Sequence, residues 1–192
     1  IYASRRTARC DSCTGCPSGK YAPAGSYVSS QCQGCPIGQY ELNDNCYDCP
    51  AGTYGASQGI QGLSSCTPVS AGSFARKGSS RSHTCLAGKY SAAGAGFCSA
   101  CSIGKFASSN GAGSCESCAL GKYQDYTGKS FCSYAPAGYY TTSTGASSYT
   151  PCRAGRYSRS GDSACFTCEP GKWIGTTAAT ACISAEEGYY VA

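Results

Sequence analysis

The chain contains no methionine and a single histidine, His83, and only 13% of its residues are charged. Leu, Ile, Val and Phe are scarce, so the aliphatic surface is too small for one large hydrophobic core. No run of about 18 apolar residues occurs, so no stretch reads as a membrane-spanning helix. Asn43, Asn45 and Asn110 all lack a Ser or Thr two positions on, which excludes N-glycans but not O-glycans on the Ser/Thr-rich loops. The 10 acidic residues are scattered, with neither a carboxylate pair nor a calcium-loop spacing. No glycine-rich phosphate loop follows a candidate strand. His83 lies beside Ser82 with no acidic residue near it in sequence, so a nucleophilic centre has no third group to orient its base. These absences argue against an enzyme and against a bound cofactor.

Cysteine and glycine are abundant instead, at 18 and 26 of 192 residues. An even cysteine count in an aliphatic-poor chain indicates an extracellular protein stapled by disulfides. The absence of a Met at Ile1 reads as a mature or excised segment of a secreted precursor. One motif, C-x2-G-x-aromatic, recurs eleven times from Gly19/Tyr21 to Gly188/Tyr190, and from Gly72 onward the step is 16 or 17 residues. A fixed short period means a repeat array. Each Gly-x-aromatic stretch reads as a short strand. A second glycine a few residues on, such as Gly25, Gly78, Gly94, Gly128, Gly145 or Gly161, suits a hairpin turn. The fold expected is small, disulfide-rich and mostly β or irregular: a linear, rod- or solenoid-like array of stacked hairpin modules. Residues 1–15 form an N-terminal arm, 16–182 ten tandem repeats of 14–20 residues, and 183–192 a truncated eleventh.

Bonding the first cysteine of each repeat to the second would give Cys16–Cys32, Cys35–Cys46, Cys49–Cys66, Cys85–Cys98, Cys101–Cys115, Cys118–Cys132, Cys152–Cys165 and Cys168–Cys182. Cys10 and Cys13 are left over at the N-terminus; a bond between them would close a tight loop, and their pairing stays open. The fourth repeat carries Val69 and Ser82 in its two slots, and the eighth carries Ala135 and Tyr149. Losing both ends of one bridge together favours this scheme, because a lone thiol is a liability in an oxidising compartment. Pairing within each C-x-x-C stays open, since Cys66 could then join Cys85 and Cys132 could join Cys152.

Cys16-Pro17-Ser18-Gly19-Lys20-Tyr21, Cys35-Pro36-Ile37-Gly38-Gln39-Tyr40 and Cys49-Pro50-Ala51-Gly52-Thr53-Tyr54 resemble the ephrin-receptor-like cysteine-rich repeat, a relative of growth-factor-receptor and TNF-receptor modules. The resemblance runs from about Cys13 to Tyr190. It implies an extended ladder of small disulfide modules in an extracellular protein, without catalytic residues. Ala185, in the last repeat's cysteine slot, departs from the pattern, as do the two bridge-free repeats. Those two repeats are candidate soft joints, or sites where a neighbour replaces the missing bridge.

Two further patterns compete for a role. The pairs Cys32/Cys35 with Cys46/Cys49, and Cys98/Cys101 with Cys115/Cys118, have zinc-ribbon spacing. The unbroken ladder of shared cysteines and the Gly-x-aromatic echo do not fit a ribbon, so no metal is expected. The residue between glycine and aromatic is Lys20, Lys89, Lys105, Lys122, Arg156 or Lys172 in six repeats. On a strand it points away from the aromatic, and stacked repeats would align these cations toward an anionic polysaccharide or cell surface. The plainer role is a solvated face that blunts strand edges. The aromatics are expected in the core, and a nucleic-acid partner does not suit an extracellular chain.

The function expected is a structural subunit of an extracellular filament, appendage, stalk or matrix, self-associating head-to-tail into a homopolymer. Ile1, Tyr2, Arg5 and Arg6 at one end and Glu186, Glu187, Tyr189 and Tyr190 at the other are the candidate subunit contacts. The alternative is the ectodomain stalk of a receptor or adhesin that binds protein or glycan partners. A bridge closing about 15 residues contributes roughly 3 kcal/mol in the chain-entropy model, so a chain with so small a core depends heavily on its disulfides. Full reduction should abolish ordered structure near room temperature, and persistence of the native circular dichroism spectrum in excess dithiothreitol would contradict this.

Overall fold

A computed structural model of the chain describes residues 15–23, 26 and 29–186. It divides into two compact units, Ile1–Cys85 with Ser91–Cys98, and Leu86–Tyr90 with Ser99–Ala192. Regular structure among the described residues is almost entirely short antiparallel hairpins, ten in all, and two 3-10 turns.

In the first unit, hairpin 1 pairs Lys20–Tyr21 with Gln33–Gly34. Hairpin 2 pairs Gln39–Leu42 with Asn45–Asp48, and Ile60–Gln61 adds to it in parallel. Hairpins 3 and 4 pair Thr53–Tyr54 with Thr67–Pro68 and Ser73–Phe74 with His83–Thr84. In the second unit, hairpins 5, 6 and 7 pair Lys89–Tyr90 with Ser99–Ala100, Lys105–Phe106 with Glu116–Ser117, and Lys122–Tyr123 with Ser133–Tyr134. Hairpins 8, 9 and 10 pair Tyr139–Tyr140 with Thr150–Pro151, Arg156–Tyr157 with Phe166–Thr167, and Lys172–Trp173 with Ile183–Ser184.

Each hairpin opens with a tight turn whose third residue is the motif glycine. In hairpin 6 the Lys105 N–H donates to the Ser102 carbonyl at 3.1 Å, and Gly104 has φ 74°. A turn of this kind needs a positive φ at that position. A second constraint acts on the same glycine. Its Cα lies against the turn carbonyl of the hairpin two further on: Gly19 against Gly59, Gly38 against Gly78 and Gly52 against Gly94 in the first unit, and Gly88 against Gly128, Gly104 against Gly145, Gly121 against Gly161 and Gly138 against Ala178 in the second. A Cβ at any of these seats would overlap a main-chain carbonyl.

Three further main-chain bonds repeat. The motif glycine donates to the residue after the next aromatic, as in Gly52 to Ala75 at 2.8 Å, Gly88 to Ala107 at 2.9 Å and Gly104 to Gln124 at 2.7 Å. The hairpin-turn N–H donates back to the first-slot carbonyl of the preceding repeat, as in Gly78 to Cys49 at 2.9 Å and Gly145 to Cys118 at 2.7 Å. The first-slot N–H donates to the preceding motif glycine, as in Cys101 to Gly88 at 2.9 Å. A two-residue hairpin alone is at best marginal; here each is tied to its neighbours through backbone atoms that every sequence supplies.

The core differs from the expectation. The motif aromatics are half-buried, and Trp173 is exposed. The fully enclosed positions are the first-slot residues Cys35, Cys49, Val69, Cys85, Cys101, Cys118, Ala135 and Cys152, with the residue after the aromatic, such as Ala75, Ala107 and Ser158. The glycine seat explains this inversion: hairpins approach so closely that only small side chains fit between them, and the rings are pushed to the margin. Where the residue after the aromatic is polar, it bonds across the stack. Ser91 Oγ donates to the Ser73 carbonyl at 2.8 Å, and Ser158 Oγ to the Tyr139 carbonyl at 2.9 Å. Glu41, Gln124 and Ile174 are bulkier exceptions at this position. The buried Glu41 carboxylate accepts the Asp44 N–H at 2.9 Å and the Gly19 N–H at 3.4 Å, standing in for the main-chain acceptor used elsewhere.

Replacing Gly94, whose added Cβ would meet nothing within 4 Å, should carry only the penalty of its positive φ, about 1–2 kcal/mol. Gly104→Ala should cost at least twice as much, because the Gly145 carbonyl must also move. Equal losses in chemical denaturation of the two variants would refute the seat as a steric constraint.

Candidate functional site

Eight disulfides lie among the described residues: Cys16–Cys32, Cys35–Cys46, Cys49–Cys66, Cys85–Cys98, Cys101–Cys115, Cys118–Cys132, Cys152–Cys165 and Cys168–Cys182. Each closes a loop of 11 to 17 residues. Cys32 bonds Cys16 rather than facing Cys46, so the sulfurs with zinc-ribbon spacing are held as disulfides and not as thiolate ligands. Among the described residues, no cysteine is free. Cys10 and Cys13 lie outside the described residues.

The two bridge-free repeats keep the same architecture. Val69 and Ala135 occupy the buried first slot. Their N–H groups donate to Gly52 and Gly121 at 3.0 and 2.9 Å, and their carbonyls accept from Gly94 and Gly161 at 2.9 Å each. These bonds use main-chain atoms only, so a valine or alanine serves as well as half a disulfide. The second slots diverge. Ser82 is exposed, and the nearby ring contact is between cross-strand partners Phe74 and His83, 5.5 Å apart. Tyr149 in hairpin 8 instead inserts edge-on between two rings, 4.8 Å from Tyr123 of hairpin 7 and 4.9 Å from Tyr139 of its own hairpin. Burial, and then the Tyr149 phenol beside it, raise the Tyr123 pKa above its ordinary value of 10.0. This clamp was signalled by an aromatic in a cysteine slot, but its partners depend on how hairpins stack.

The cations of the ladder are not equivalent. Lys20, Lys89, Lys105, Arg156 and Lys172 are exposed and Lys122 is half-buried. The Lys122 Nζ lies 4.5 Å over the Tyr134 ring, its cross-strand neighbour, and Lys172 pairs with Glu169 at 3.1 Å. Arg156 reaches the Cys165 carbonyl at 3.5 Å. Three of the six thus have local partners, and Lys89 and Lys105 present their charge outward. The candidate subunit contacts Ile1, Tyr2, Arg5, Arg6, Glu187, Tyr189 and Tyr190 lie outside the described residues; Glu186 is described and exposed.

A polar hollow of about 420 Å³ in the first unit is lined by Cys16, Ser18, Glu41, Leu42, Asn43, Asp44, Gln61 and Gly62. Both Glu41 oxygens are taken by main-chain donors. Among the described residues no group of three His, Cys, Asp or Glu side chains is arranged to hold a metal ion. No described helix is long and apolar enough to cross a membrane.

Removing Tyr149 loses two edge-to-face contacts worth about 0.5–1.5 kcal/mol each, so Tyr149→Ala should lower stability by roughly 1–3 kcal/mol. Ser82→Ala at the equivalent exposed slot should change it by under about 0.5 kcal/mol. Thermal unfolding of both variants checks the pair.

Residues 88–122 and 104–152 match a family model described as tyrosine-protein kinase ephrin type A/B receptor-like. No curated protein matches the chain. The matched segment covers hairpins 5 to 8, in which a bridge-free repeat follows three with the ordinary motif. Modules of this type are extracellular and non-catalytic. With eight disulfides closing a run of short hairpins, the chain is a cysteine-rich repeat protein whose residues 88–152 are similar to ephrin-receptor-like modules.

Proposed function

We propose that the chain is a structural part of an extracellular assembly, such as a filament, appendage, stalk or matrix, and performs no catalysis. The observation that supports this most is the set of main-chain bonds and glycine seats that, within each unit, tie hairpins to the next and, at seven seats, to the one beyond. Stacking of this kind extends a chain without asking anything of its surface side chains. The same donors and acceptors serve between two subunits as within one, which favours head-to-tail growth into a homopolymer. In this reading residues 1–15 act as an arm, 16–182 as ten repeats, and 183–192 as the start of an eleventh. Arg5 and Arg6 then oppose Glu186 and Glu187, with Ile1 and Tyr2 covering Tyr189 and Tyr190.

A second reading is supported by the family match over 88–152: the chain is the stalk of a receptor or adhesin, and its surface binds a protein or an acidic polysaccharide. Negative-stain microscopy and light scattering of the fully oxidised chain at rising concentration separate the two. The first expects concentration-dependent filaments that Arg5→Glu with Arg6→Glu suppresses. A chain that stays monomeric throughout rejects head-to-tail assembly. Labelling of intact cells with an antibody to the chain tests the extracellular location independently.

A further inference from the structure

Three consecutive turns in the second unit combine an exposed aliphatic with a lysine, which no other turn among the described residues does; Ile37 in hairpin 2, 56% exposed, has Gln39 in the lysine position. Leu86 in the turn that opens hairpin 5, Ile103 in that of hairpin 6 and Leu120 in that of hairpin 7 are 66%, 50% and 51% exposed. Each stands on the same four-residue turn as a lysine, because the Lys89, Lys105 and Lys122 N–H groups close those turns onto Leu86, Ser102 and Ala119 at 3.0, 3.1 and 3.0 Å. Neighbouring turns adjoin through the main chain. The Cys101 N–H at the start of the second turn donates to the Gly88 carbonyl of the first, and the Cys118 N–H at the start of the third to the Gly104 carbonyl of the second, at 2.9 Å each. The Ala87 N–H in the first turn is also held by Asn110 Oδ1 of the next repeat, at 2.8 Å. Aliphatic side chains and cations therefore alternate along a rigid edge three repeats long, and no acidic residue occurs in Cys85–Tyr90, Cys101–Phe106 or Cys118–Tyr123. The turns of hairpins 8, 9 and 10 carry no exposed large aliphatic, and Glu169 neutralises Lys172 in the last.

We propose that this edge docks onto an anionic lipid surface, with Leu86, Ile103 and Leu120 entering the headgroup layer and Lys89, Lys105 and Lys122 pairing with acidic headgroups. The proposal rests on the extracellular reading above. Exposed aliphatics gain from leaving water, and cations beside them gain from a negative surface; a lipid interface supplies both at once. A soluble polyanion would satisfy the lysines and leave three aliphatic side chains in water. Tyr134, 60% exposed with the Lys122 ammonium over its ring, adds an amphipathic ring of the kind enriched at membrane interfaces.

The test is co-sedimentation of the oxidised chain with vesicles of phosphatidylserine in phosphatidylcholine and with vesicles of phosphatidylcholine alone. Binding is expected to the acidic vesicles only. The combined Leu86→Ser, Ile103→Ser and Leu120→Ser variant should lose binding by on the order of tenfold or more, and so should Lys89→Glu with Lys105→Glu and Lys122→Glu. Lys20→Glu with Arg156→Glu and Lys172→Glu should bind as the parent does. The single Ile103→Ser change, on a half-exposed side chain, provides a smaller loss in the same direction if a triple variant fails to fold. No binding to acidic vesicles, binding untouched by the aliphatic changes, or binding to soluble heparin that the lysine changes alone remove would each overturn the proposal. If vesicle binding fails while intact cells still display the chain, only this inference falls and the extracellular reading stands.

Discussion

The close approach of a hairpin-turn carbonyl to the Cα of a glycine two repeats earlier is the contact on which the rest of the packing depends. It sets how near successive hairpins lie, and that distance leaves room between them mostly for cysteine, alanine, serine, threonine or valine, with larger chains only at Glu41, Gln124 and Ile174 among the described residues. The main-chain bonds that join glycine to glycine-plus-three of the next repeat, and turn to first slot, can form only at that separation. A conventional aliphatic core would push the hairpins apart and break them. Scarcity of Leu and Val is therefore a condition of this architecture as well as a sign of it.

Because the stacking is written in backbone atoms, side chains at the margins are free to vary. Val69 and Ala135 keep every main-chain bond that a first-slot cysteine makes. The disulfides act at a different level: they close the 11- to 17-residue loops whose ends the backbone bonds bring together, and so restrict the unfolded chain. Where a bridge is missing, the two repeats differ. Ser82 leaves its slot to water, whereas Tyr149 spends its ring on the preceding hairpin and ties repeat to repeat instead of closing its own loop. The same freedom lets the turn edges specialise, with a proline in the opening turns of hairpins 1, 2, 3, 8 and 10 and a lysine-aliphatic combination in hairpins 5 to 7.

The hairpin array was legible because its signals are local. Glycine at a turn position with positive φ, an aromatic two residues on and a second glycine at the hairpin tip each reflect the conformation of a few adjacent residues. Ala178 shows the limit of that code: it occupies a tip where other repeats have glycine and adopts φ 54° all the same, since its carbonyl must sit over Gly138. The position of the aromatics was misread for a physical reason. A periodic ring suggests a core when one repeat is considered alone, but the inter-hairpin distance is set by partners 40 residues away, as in Gly38 and Gly78. The buried Glu41 carboxylate and the Tyr149 clamp escaped for the same cause, because their partners belong to other repeats.

The sequence by itself determined the class of this protein. Period, cysteine content and lack of aliphatic bulk leave a stapled hairpin array as the architecture that can bury enough and close enough loops. Tertiary structure decided which surfaces matter. Only the folded chain shows that the motif glycine is a seat as well as a turn residue, that the Lys122 and Lys172 side chains have partners within their own hairpins, and that Leu86, Ile103 and Leu120 stand on adjoining turns. Spacing along a chain records which residues recur, whereas neighbourhood across repeats depends on a separation that main-chain contacts impose and no single repeat encodes.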